Sequence, residues 1–139
     1  MEDTIFAKII RREIPAEIIY EDDDTLAFLN VKPVNPGHTL VVPKKFARNI
    51  FDVEEQSLTA VMRTVQKISR ALRETGVEGV NLHINNEPLA GQEVFHLHVH
   101  VIPRFVDDGF NSASWRRHGK ECSSAELREV ADTLRTKLG

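Results

Sequence analysis

The sequence predicts an α+β domain: a five-stranded antiparallel sheet, one long central helix and a second helix at the C-terminus. Two observations carry that expectation. Segments of β-branched or alternating character mostly follow one another, rather than alternating with helices as the strands of a parallel sheet do. One long stretch repeats Leu58, Val61, Met62, Val65, Ile68 and Leu72 at helical spacing. The 139 residues show no linker and no repeat, so 1–139 reads as a single domain.

The elements follow in order. Ile5, Phe6, Ile9 and Ile10 predict a short amphipathic helix over Asp3–Ile14, stopped by Pro15. Glu17–Glu21 and Thr25–Val31 read as a hairpin, because Asp22-Asp23-Asp24 between them suits a tight turn. After Pro33, Pro36 and Gly37, the run His38–Val42 closed by Pro43 predicts a third strand. Asp52 with Glu55 reads as a capping box opening the long helix, which Gly76 ends. Val80–Asn85 alternates and predicts a fourth strand; Asn86–Gly91, with Pro88 and Gly91, is a loop. Phe95–Ile102 is the fifth strand. Ser123 with Glu126 opens the last helix, which carries Leu127, Val130, Ala131 and Leu134.

Composition narrows the function. A formal charge of −3 offers no broad basic field for a nucleic-acid backbone, so nucleic acid is not an expected partner. No apolar run approaches the ~20 residues that span a bilayer, and the Met-Glu-Asp opening is not a secretion leader, so no membrane partner is expected. The single cysteine, Cys122, has no disulfide partner and fits a reducing, cytoplasmic compartment.

Three of the six histidines stand at positions 96, 98 and 100. On a strand, alternate residues share a face, so the three imidazoles line one surface while Leu97, Val99 and Val101 point into a core. Zinc is one reading, but the outer Cα atoms are about 13 Å apart against Zn–N bonds of about 2 Å. Glu93 is the only acid close by in sequence. Nucleophilic catalysis fits better: one imidazole attacks an electrophile while its neighbours orient it and bind developing charge. Phosphorus suits this chemistry, since several imidazoles supply charge-assisted donors to an anion without a metal. Gly91, just before the strand, would let backbone N–H groups approach a phosphate.

The run His96-Leu97-His98-Val99-His100-Val101-Ile102 resembles the pattern of the histidine triad (HIT) family. So do Ile5-Phe6-Ala7-Lys8-Ile9-Ile10, Leu26-Ala27-Phe28-Leu29-Asn30, Gly37-His38-Thr39-Leu40-Val41-Val42-Pro43 and Ala90-Gly91-Gln92, in the same order. The likeness covers roughly residues 4–105, leaving 106–139 as a C-terminal loop and helix. It implies a histidine triad-like fold and a metal-independent nucleotidyl hydrolase or transferase without cofactor, acting at the α-phosphate of purine nucleotides. It also implies a covalent nucleotidyl-histidine intermediate, release of nucleoside monophosphate such as AMP, and a homodimer whose two sheets join. The branches nearest in pattern are the purine nucleoside phosphoramidases and prokaryotic members, with phosphoramidates or adenylates as substrates. The alternatives are a dinucleoside polyphosphate hydrolase, or a nucleotide-binding scaffold or sensor with incidental turnover.

By position, the resemblance makes His98 the nucleophile, His96 and His100 its supports, and His38 a fourth histidine behind them. Asn30 falls where the family holds the ribose hydroxyls; Asp is frequent there in the phosphoramidases and Asn in the dinucleoside polyphosphate branch. Ile5, Phe6, Ile9, Phe28 and Val31 match the pocket around the base. Asn85 matches a phosphate-side contact, and Gly91, Gln92 and Glu93 a loop of backbone donors, with Glu93 departing from the usual Ser or Thr. Some bacterial members hold zinc through Cys-x-x-Cys; Thr4 and Ala7 stand at those places, so no structural zinc is expected. Trp115, in the tail, reads as a hydrophobic plug or a wall on the substrate side.

Overall fold

A computed structural model of the chain describes residues 3–110 and 119–139. Trp115 lies outside the described residues. The sheet contains β1 (Ile18–Glu21), β2 (Thr25–Leu29), β3 (Thr39–Pro43), β4 (Gly79–His83) and β5 (Val99–Arg104). Their spatial order is β1-β2-β3-β5-β4, with every neighbouring pair antiparallel. The helices are α1 (Ile5–Ile10), α2 (Glu55–Glu74) and α3 (Ser124–Leu138). This is the α+β architecture the sequence predicts. None of these helices is long and apolar enough to cross a membrane.

Both faces of the sheet are covered, which explains why β2 and β3 are buried at every position instead of alternating. On one face, Val61, Val65, Ile68 and Leu72 of α2, with Ala131 and Leu134 of α3, pack on Ala27, Leu29, Val41, Val99 and Val101. On the other, Phe6 and Ile9 of α1 cover Leu26, Phe28, Leu40 and Val42. Leu40 pairs with His100, so the histidine face is the α1 face. At six residues α1 is far too short to persist alone, and docking of Phe6, Ala7 and Ile9 maintains it.

Several boundaries differ from the sequence reading for local reasons. α1 ends at Ile10 rather than near Ile14, because Arg12 adopts a left-handed conformation with φ 64°. Glu13 N–H then reaches Lys8 O and Arg12 N–H reaches Ile9 O, a Schellman stop. The Asp52–Glu55 capping box does not form. Asp52 instead accepts from the Arg48 and Asn49 N–H groups, and Glu54 is the N-cap of α2 without a side-chain bond. Ser123 does cap α3, with Glu126 N–H donating to Ser123 Oγ, while Glu126 Oε1 accepts from the Ser123 hydroxyl rather than from its backbone N–H. The hairpin turn is built as expected, with Asp22 Oδ1 accepting from the Asp24 and Thr25 N–H groups. Gly37 must be glycine twice over: its φ is +95°, and a Cβ there would meet Leu72 Cδ2 at 2.9 Å.

Candidate active site

β5 begins at Val99 and the chain bends at 94–96, so His98 and His100 face one cavity as expected, while His96 departs from the surface they share. The chain bends before the strand, and the three imidazoles take different environments. His98 and His100 line a cavity of about 560 Å³ between α1 and the sheet; His96 lies behind it. All three, with His38, are buried.

Hydrogen-bond partners that can only donate or only accept set the tautomers. The His98 Nδ1 atom is 2.7 Å from His96 O; a carbonyl only accepts, so Nδ1 carries the proton and Nε2 of the neutral ring keeps its lone pair. Val34 N–H donates to His38 Nδ1 at 3.1 Å, so neutral His38 is protonated on Nε2. That Nε2–H donates to His100 Nδ1 at 3.0 Å, which puts the proton of a neutral His100 on Nε2. His96 Nε2–H donates to Pro43 O, and its Nδ1 accepts from Thr4 Oγ–H at 3.0 Å. A chain of backbone and side-chain partners thus leaves Nε2 of neutral His98 unprotonated and Nε2 of neutral His100 protonated. Rings enforce the placement: Phe6 meets His98 edge-on at 4.9 Å between centroids, and His98 meets His100 at 5.0 Å.

Burial disfavours the imidazolium forms. It pushes His38 down to about 4, aided by repulsion from His83, and lowers His96 and His98 below the ordinary histidine value. In His98 the His96 carbonyl opposes that shift without cancelling it.

The cavity gathers residues far apart in sequence. Ile5, Phe6, Ile9, Phe28 and Val31 form its apolar part, and Asn30, Asn85, Gly91, Glu93 and His38 also line it. Asn30 Oδ1 accepts from Lys32 N–H at 2.9 Å, which identifies the amide oxygen and places Nδ2 on its other side. Gln92 is a departure, because it does not line the cavity. Its buried amide accepts from Asn49 Nδ2 and Glu87 N–H and donates to Arg48 O and Val94 O. The donor-loop expectation is corrected at two of its three positions: Gly91 N–H closes on Pro88 O and Gln92 N–H on Glu87 O.

Three contributors escape the sequence reading. Thr4 caps α1 through Ala7 N–H and also fixes His96, so the helix bearing the apolar wall is tied to the histidines. Asn49 joins Gln92 to Glu87. Glu87 sits at φ 77° and ψ 156°, a region nearly restricted to glycine that costs a side-chain-bearing residue about 1–3 kcal/mol. Arg48 and Asn49 hold its carboxyl below the ordinary range. The only sequence signal for any of these was the polar N-cap position of Thr4. Among the described residues, no group of three or more His, Cys, Asp or Glu is placed to hold a metal ion.

Comparison with known proteins identifies the family and the fold. A HIT domain model matches residues 11–107. An adenylylsulfatase of Arabidopsis thaliana is 40% identical over 138 residues, covering 98% of this chain and 70% of that one. The purine nucleoside phosphoramidase of Escherichia coli is 37% identical over 103 residues, covering 73% of this chain and 87% of its own. The crystal structure of a zinc-bound histidine triad family protein from Mycobacterium smegmatis aligns with a TM-score of 0.86 at 32% identity, covering 98% of this chain and 93% of that chain. Matched along most of its length in sequence and in fold, this chain belongs to the HIT family.

Proposed function

We propose that this protein is a nucleotidyl hydrolase or transferase that attacks the α-phosphorus of purine nucleotides with His98. The observation that carries the reading is the 2.7 Å contact between His98 Nδ1 and His96 O, which leaves the buried Nε2 unprotonated. His98 Nε2 forms the bond to phosphorus as the bond to the leaving group breaks; water then cleaves the N–P bond and releases a nucleoside monophosphate. His96 orients the nucleophile through its carbonyl. His100, holding its proton on Nε2, is the donor toward a phosphoryl oxygen or the departing group. The apolar wall from Ile5 to Val31 suits a purine ring, and the Asn30 amide suits ribose hydroxyls.

Phosphoramidate or adenylate substrates are favoured by the likeness to proteins named phosphoramidase and adenylylsulfatase. Asn30 favours dinucleoside polyphosphates as the second reading. A homodimer joined at the sheet edge is part of the proposal, supported by β4 lying at that edge with Leu82 exposed. A cytoplasmic location is supported by the single cysteine.

Rapid quenching followed by peptide mapping tests the central step. A nucleoside monophosphate on the peptide bearing His98 is the expected result, with His98→Asn binding nucleotide but losing turnover by several orders of magnitude. An adduct on His96 or His100, or near-normal turnover in His98→Asn, refutes the assignment.

A further inference from the structure

The turn before the histidines holds an apparent contradiction. Glu87 places its backbone in a conformation natural to glycine, although a change to φ below zero would relieve it. What retains the geometry is visible in its partners. Arg48 grips the carboxylate with two parallel bonds of 2.9 Å, from Nε and Nη2, and Asn49 Nδ2 donates to the same group. Glu87 N–H donates to Gln92 Oε1 at 2.8 Å, and Glu87 O accepts from Ala90 and Gln92 N–H. Arg48 is itself seated over the Phe95 ring at 4.4 Å, the residue next to His96, and its carbonyl accepts from Gln92. One carboxylate therefore ties the turn Pro88–Ala90 and Gly91, which lines the cavity, to the segment leading into the histidines.

We propose that Glu87 is a positioning residue: its carboxylate, clamped by Arg48 and Asn49, holds the turn ending at Gly91 in register with His98 against a backbone that would otherwise relax. The clamp spans 39 residues of sequence between Arg48 and Glu87, so the loop after β3 and the loop before β5 move as one unit. The catalytic part of this inference rests on the nucleotide reading above; the conformational part does not.

Full-length wild type, Glu87→Ala, Glu87→Gly and Glu87→Gln test it through amide exchange at Gly91 and Gln92 and through kcat and KM with an adenosine phosphoramidate. Glu87→Ala loses the clamp while a positive φ stays unfavourable for alanine, so the turn relaxes, those two amides exchange about tenfold faster or more, and kcat falls about tenfold while KM changes less than about threefold, because misalignment affects the reacting geometry more than binding. Glu87→Gly loses less than Glu87→Ala, since glycine adopts the geometry freely. Glu87→Gln, which can still bond Arg48 and Asn49, returns kcat to within about threefold of wild type. Unchanged exchange and kcat in Glu87→Ala overturns the proposal, as does loss of protection spread over the whole fold instead of this turn. A wild type without turnover strikes the nucleotide reading alone, because the exchange comparison needs no substrate.

Discussion

His38 gives the fold a specific dependence on pH. The ring is buried between Val34 N–H and His100, and burial lowers its folded-state value from 6.5 to about 4. Below pH 6.5 the unfolded chain takes up a proton at this position that the folded chain refuses, so stability rises with pH across this window and falls as the solution is acidified. From the two values, the acid limit corresponds to roughly 3 kcal/mol, of which about 2 kcal/mol is lost between pH 7.5 and pH 5. His83, His96 and His98, also lowered by burial, steepen the wild-type decline further. His38→Gln retains a donor for His100 Nδ1 but does not titrate. Urea unfolding at pH 7.5, 6 and 5, at one protein concentration, measures both proteins. The variant is less stable at neutral pH, because Val34 N–H loses its acceptor, yet its loss on acidification is smaller than that of wild type by about 2 kcal/mol. Equal slopes in the two proteins would refute the claim that His38 is neutral because it is buried.

Three further predictions concern the site and assembly. Asn30→Ala weakens ribonucleotide binding by about 1–3 kcal/mol in titration calorimetry and leaves deoxyribose analogues nearly unaffected; equal loss for both would give Asn30 another role. Turnover survives exhaustive chelation, because imidazoles supply the positive character a metal would bring to phosphate, and restoration of a lost activity by zinc would replace this mechanism. Sedimentation at micromolar concentration shows a dimer; a fully active monomer would remove the sheet-edge interface from the proposal.

Features whose causes are local can be read from the chain without its fold. Asp22 closes its turn with atoms two and three residues away, and Ser123 and Glu126 cap α3 across three residues. The apolar spacing of α2 fixes its buried stripe, and the alternation of Val99 and Val101 fixes which side of β5 enters the core beneath it. That His98 and His100 would meet at one surface was legible too, since they stand two residues apart.

For His96 and His100, packing between distant segments decided which nitrogen carries the proton: Pro43 and Thr4 set it for His96, and Val34 acting through His38 sets it for His100, whereas His98 takes its tautomer from His96 O two residues away. Thr4 and His96 are 92 residues apart, and no pattern within either segment encodes their meeting. Asp52 looked like a helix cap because its spacing to Glu55 allowed one, but the Arg48 and Asn49 N–H groups claim its carboxylate when the loop folds back. Gln92 reads as a backbone donor beside a phosphate, but its N–H closes on Glu87 O while its side-chain amide bonds Arg48, Asn49 and Glu87. A polar side chain bonds whichever partners the fold brings within about 3 Å, and that choice is made by packing across the sheet rather than by its neighbours in sequence.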